Sequence, residues 1–146
     1  MPKLRSSPSS VIKKSLRKSG LTAKKWLGQH FLIDQSVLDT IVSAADLTSK
    51  DFVIEVGPGL GILTSELAKK AGNVVAVELD NKLSLQLKHK LSSNANVTIV
   101  NADILEVNIS DLVGDKQAYK VVANIPYYIT SPILHYFVEA PLKPSL

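Results

Sequence analysis

Four short apolar runs alternate with helical stretches between residues 34 and 146, and this alternation restricts the fold more than any other feature. Phe52–Val56, Val74–Leu79, Val97–Val100 and Tyr119–Ala123 are rich in β-branched residues and read as buried strands. Asp34 is a good N-cap for a helix carrying Val37, Leu38, Ile41 and Val42 at helical spacing. Ile62–Ala71 reads as a helix with Gly72 as its stop, and Asn81–Leu91 as another. Ile104–Val113 is irregular or partly helical, and Ser131-Pro132 opens a last helical stretch over Ile133–Val138. Strands alternating with helices imply βαβ units, so the expected class is α/β with a parallel sheet and flanking helices.

The 146 residues allow one domain with a sizeable core. No eighteen-residue apolar stretch is present, so no membrane span is expected, and no secretory signal pattern is seen. The absence of cysteine excludes disulfides and thiolate chemistry. His30, His89 and His135 are scattered, so no metal site is expected. The net charge of +4 conceals an asymmetry: residues 1–33 hold eight Lys or Arg and no acid, whereas the remainder holds nine basic and thirteen acidic residues. Residues 1–23 are expected to form a basic flexible arm, and 24–146 the folded part. Such an arm suits a polyanion. A solvated tail and an organelle transit segment are the alternatives. Lys24-Lys25-Trp26-Leu27-Gly28-Gln29-His30-Phe31-Leu32 packs basic, amide and aromatic residues into one candidate binding loop.

The strand ends carry the chemistry. Ligands of open α/β sheets bind outside the carboxyl ends of the strands. Glu55-Val56-Gly57-Pro58-Gly59-Leu60-Gly61 joins a strand to a helix, and its glycines let a ligand approach the backbone. The spacing is G-x-G-x-G, not the dinucleotide pattern. Glu55 beside the turn suits an ammonium better than a pyrophosphate. That favours a ligand with an amino-acid moiety, such as S-adenosylmethionine. Glu78, twenty-one residues after Gly57, ends the second strand, where a carboxylate can accept bonds from ribose hydroxyls. Asp103 closes the third strand and is placed either for an adenine amino group or for an Asx turn. Asn124-Ile125-Pro126-Tyr127 closes the fourth. An amide can orient an exocyclic amine, a proline holds the turn rigid, and a tyrosine ring can stack on a base.

Gly28-Gln29-His30-Phe31-Leu32, Glu55–Gly59, Val77-Glu78-Leu79-Asp80, Asn101-Ala102-Asp103 and Asn124–Tyr127 stand in an order and at spacings that closely resemble the ribosomal RNA adenine N6,N6-dimethyltransferase family, from about Lys24 to about Phe137. The resemblance implies a Rossmann-like, S-adenosylmethionine-dependent methyltransferase fold. It implies cofactor contacts at His30, Leu32, Gly57, Gly59, Glu78, Asp103 and Asn124. Asn124, Ile125, Pro126 and Tyr127 would form the catalytic turn, with Lys24, Lys25, Phe31 and Tyr127 toward RNA. The implied substrate is a pair of adjacent adenines near the 3′ end of small-subunit ribosomal RNA, methylated in a bacterial cytoplasm, or in an organelle of a eukaryotic host. A macrolide-resistance branch, which methylates large-subunit RNA, shares the motifs.

Family members continue with three more strands and a small helical domain. Here Pro141–Leu146 is expected to supply no strand, leaving the fourth strand as an open edge of an incomplete sheet. A non-catalytic remnant that binds only cofactor or RNA is therefore a second reading, and a small-molecule methyltransferase a third.

Overall fold

A computed structural model describes residues 34–125 and 129–146. The elements in chain order are α1 (Gln35–Ala44), β1 (Phe52–Val56), α2 (Ile62–Ala68), β2 (Asn73–Glu78), α3 (Asn81–Lys90), β3 (Val97–Asn101), α4 (Ile109–Val113), β4 (Lys120–Ala123) and α5 (Thr130–Glu139). The four strands form one sheet in the order β3-β2-β1-β4, and every pairing is parallel. The chain steps outward from β1 to β3, then crosses back to lay β4 on the other side of β1. Strand order therefore reverses between β1 and β4, the place where open α/β sheets hold ligands.

Side chains alternate across the sheet, which divides the core in two. Val53, Val74 and Val122 pack with Leu38 and Val42 of α1 and Leu63 and Leu67 of α2. Ile54, Val56, Val75 and Val77 pack on the opposite face with Ile109 and Val113 of α4 and Ile133 and Phe137 of α5. Both faces are covered, which is why the strands read as nearly continuous apolar runs. Asp34 caps α1 as expected, accepting the Ser36 N–H at 2.8 Å. Lys120 ties the far end of the sheet together, its Nζ donating to the carbonyls of Ala45 at 3.0 Å and Asp46 at 2.7 Å and pairing with Asp51 at 3.3 Å.

Two expectations change. Helix α2 ends at Ala68, and Gly72 is not a left-handed stop. An added Cβ at Gly72 would lie 2.3 Å from the Ser49 carbonyl oxygen, so this glycine serves a close backbone approach between the α2–β2 and α1–β1 connections. The segment after β3 is partly helical, as expected, and contains α4, started by the Asn108 side chain accepting the Ser110 N–H at 3.0 Å. The outer edge of β4 is also partly occupied. Ser145 N–H donates to Tyr119 O at 2.8 Å, and Val121 N–H donates to Leu146 O at 2.9 Å. The Tyr119 hydroxyl donates to Leu142 O at 2.7 Å and holds the approach to that edge. No described helix is long and apolar enough to cross a membrane.

Candidate cofactor site

The register of the sheet sets four residues side by side. Val56 pairs with Val77 and with Ala123, and Glu78 pairs with Asn101. One step beyond, Asn101, Glu78, Gly57 and Asn124 form a row across the carboxyl ends of β3, β2, β1 and β4. The Gly57 N–H continues the ladder to Val77 O at 3.0 Å. This row lies two residues beyond Ala76, Glu55 and Val122, so it shares their face of the sheet, the one covered by α1 and α2.

Above the row sits the glycine turn. Gly57, Gly59 and Gly61 have φ of 67°, 57° and 77°, a region that other residues enter only with strain. At Gly57 an added Cβ would meet nothing within 4 Å among the described residues, which leave the turn open there to a ligand. At Gly61 it would lie 2.5 Å from Cδ2 of Leu87, so the back of the turn is pressed onto α3. The turn is also held by charge. Glu78 Oε2 accepts the Gly59 N–H at 3.0 Å and Oε1 accepts the Asp80 N–H at 2.8 Å. Asp80 in turn caps α3, accepting the Leu83 N–H at 3.0 Å. Burial pushes the Glu78 carboxyl up, and the two N–H donors pull it part of the way back.

Glu55 is 1% exposed, and among the described residues its Oε2 has no hydrogen-bond partner. Burial, with a smaller push from the Glu78 charge, raises its carboxyl to about 8. The Thr64 hydroxyl lies near enough to temper the shift, yet Thr64 Oγ1 is not in hydrogen-bonding geometry. A buried acid with an unpartnered oxygen beneath an open glycine turn is chemically suited to a cationic amine. The donor set therefore fits S-adenosylmethionine, with its ammonium, ribose and adenine: Glu55 and Gly57 at β1, Glu78 at β2, Asp103 after β3.

Of the expected site residues, Gly57, Gly59, Glu78 and Asn124 come together at this end of the sheet. Asn124 is half-buried, and Ile125 packs its side chain against the α4–α5 core. Asp103 is half-buried and forms the Asx turn, Oδ1 accepting the Leu105 N–H at 3.0 Å. Lys24, Lys25, His30, Phe31, Leu32, Pro126 and Tyr127 lie outside the described residues. Asn101, which opens the Asn101-Ala102-Asp103 motif, donates its Nδ2 to Glu78 O at 2.8 Å. Two further contributors carry no local sequence signal: Thr64 faces Glu55, and Lys90 Nζ donates to Leu60 O at 2.7 Å.

A family model described as ribosomal RNA adenine dimethylase matches residues 20–145. A ribosomal RNA small subunit methyltransferase A from Dehalococcoides mccartyi is 55% identical over 126 residues, covering 86% of this chain and 43% of the relative. The protein of the same name from Clostridioides difficile is 47% identical over 138 residues, covering 92% and 48%. The chain thus spans less than half the length of these relatives. Among solved structures, the 23S rRNA methyltransferase ErmE aligns with a TM-score of 0.70 at 38% identity, over 78% of this chain and 45% of its own. A dimethyladenosine transferase from Plasmodium falciparum aligns at 0.66 with 28% identity, over 79% and 40%. By the match over residues 20–145 and the glycine turn and strand-end row built from those residues, the chain belongs to the ribosomal RNA adenine dimethylase family.

Proposed function

We propose that this chain carries the methyl-donor half of an enzyme that methylates N6 of adjacent adenines near the 3′ end of small-subunit ribosomal RNA. The row Asn101, Glu78, Gly57 and Asn124 at the switch point carries the reading, because it sets acceptors for a donor nucleoside beside an amide for a target base. S-adenosylmethionine, when bound, supplies a methyl group already activated on sulfur. Glu55 faces its ammonium, Glu78 accepts from its ribose and Asp103 from its adenine. His30 and Leu32 cover the methionine end.

The target nitrogen is a weak nucleophile, since its lone pair is delocalised into the ring. The Asn124 side chain and the Ile125 carbonyl hold its N–H groups and favour a more tetrahedral nitrogen. Pro126 keeps that carbonyl aimed. Tyr127 stacks on the base and offsets part of the cost of unstacking it. Lys24, Lys25 and Phe31 face the RNA, joined by the basic arm at 1–23. Positioning and electrostatics supply the rate, and the released proton passes to solvent. Bacterial relatives named for the small subunit, at 55% and 47% identity, favour that target over the large-subunit target in the name of the 38% identical structure. The cytoplasm, where bacterial ribosomes assemble, is the corresponding compartment.

Transfer of labelled methyl groups from S-adenosylmethionine to small-subunit RNA tests this. Asn124→Ala is expected to reduce transfer at least about 100-fold, the scale on which a lost polar contact to the reacting centre acts. Full transfer by the variant would remove Asn124 from the mechanism. A parent chain that binds donor but transfers nothing would support the remnant reading.

A further inference from the structure

Lys90 lies in the last turn of α3, thirty residues from the glycine turn, yet its Nζ donates to Leu60 O at 2.7 Å. That carbonyl belongs to the Leu60–Gly61 peptide, whose N–H donates to Pro58 O at 2.9 Å. Both polar groups of this peptide are therefore occupied, and its plane is set. Leu87 and Leu91 flank Lys90 on the same helix face. Leu87 closes against Gly61, and Leu60 is itself buried. The ammonium is partly desolvated where it meets the carbonyl, and burial lowers its pKa. On the other side of the turn Glu78 holds the Gly59 N–H. The turn is thus clamped between a carboxyl group from β2 and an ammonium from α3, while the described residues leave its Gly57 end open.

We propose that Lys90 is a positioning residue of the donor site: by fixing the Leu60–Gly61 peptide from behind, it holds the glycine turn in the shape that admits the cofactor. This rests on the donor-site reading above. A left-handed glycine pair such as Gly59 and Gly61 has many accessible conformations, and a charge-assisted hydrogen bond is an effective way to select one. An arginine can donate to the same carbonyl; a methionine fills the same volume without donating.

Two measurements on the 146-residue chain separate the claims. Amide exchange at Gly61 and Ile62 reports the turn without any ligand. Calorimetric titration with S-adenosylhomocysteine reports the site. Lys90→Met is expected to speed exchange at these amides and weaken binding about tenfold, the scale of one hydrogen bond to a charged group. Lys90→Arg is expected to restore both, and cooperative urea unfolding of each variant shows that the fold is kept. Unchanged exchange, or unchanged affinity, in Lys90→Met overturns the inference. Equal loss in both variants also overturns it, since the amine would then act through packing. Faster exchange in Lys90→Met, with no binding by the parent chain, overturns the donor-site reading and leaves only a structural tether.

Discussion

Glu55→Gln is expected to stabilise the protein at pH 8 by about 4 kcal/mol and to change its stability little near pH 4.5. The sign follows from burial. In the unfolded chain this carboxyl ionises near its ordinary value of 4.5, whereas in the fold burial raises it to about 8. The fold tolerates the neutral acid and resists the anion. Each pH unit between the two values therefore costs the native state about 1.4 kcal/mol, and the cost is absent below both. Glu78 is raised in the same direction and deepens the loss toward alkaline pH. Glutamine keeps the shape and cannot ionise. Urea unfolding of both proteins from pH 4.5 to pH 8.5 measures the difference. Parallel stability curves would mean that Glu55 is ionised in the fold at no cost. The same substitution is expected to weaken S-adenosylhomocysteine binding, because the amide cannot balance an ammonium. A residue that costs stability and serves a ligand is a common signature of a site.

Gly61→Ala is expected to destabilise by about 3 kcal/mol, combining the strain of a left-handed alanine with overpacking. The added methyl would meet Leu87, a side chain 1% exposed that has little room to turn. Gly57→Ala shares the positive φ but meets no described residue within 4 Å, so about 1–2 kcal/mol is expected there. Equal losses at the two positions would contradict the packing of the turn onto α3. The contrast matters for function, because it assigns one glycine to the fold and the other to the ligand.

The strands were legible because β-branched runs buried on both faces leave a strong pattern, and β1 and the start of β3 fall where the residues place them. The glycine turn and the acid at the end of β2 were legible because their places depend on neighbours in sequence. What escaped the reading depends on distant backbone. Gly72 follows a helix, so it resembles a stop signal, but it is required by the Ser49 carbonyl twenty-three residues earlier. Lys90 looks like one more lysine at a helix end, and only the crossing of α3 behind the turn gives it a carbonyl to hold. The tail supplies no strand, as its residues predict, yet the edge of β4 is not left fully open. The structure pairs it just past Pro144, where Ser145 restores a backbone N–H for the carbonyl of Tyr119.

A methyl-donor site at these residues requires that the chain bind S-adenosylhomocysteine, which calorimetric titration of the chain and of Glu78→Ala measures. Saturable binding by the parent chain is expected, with at least about a tenfold loss in the variant, which removes both the proposed ribose acceptor and the tether on Gly59. No binding by the parent chain, or equal affinity in the two proteins, rules the site out.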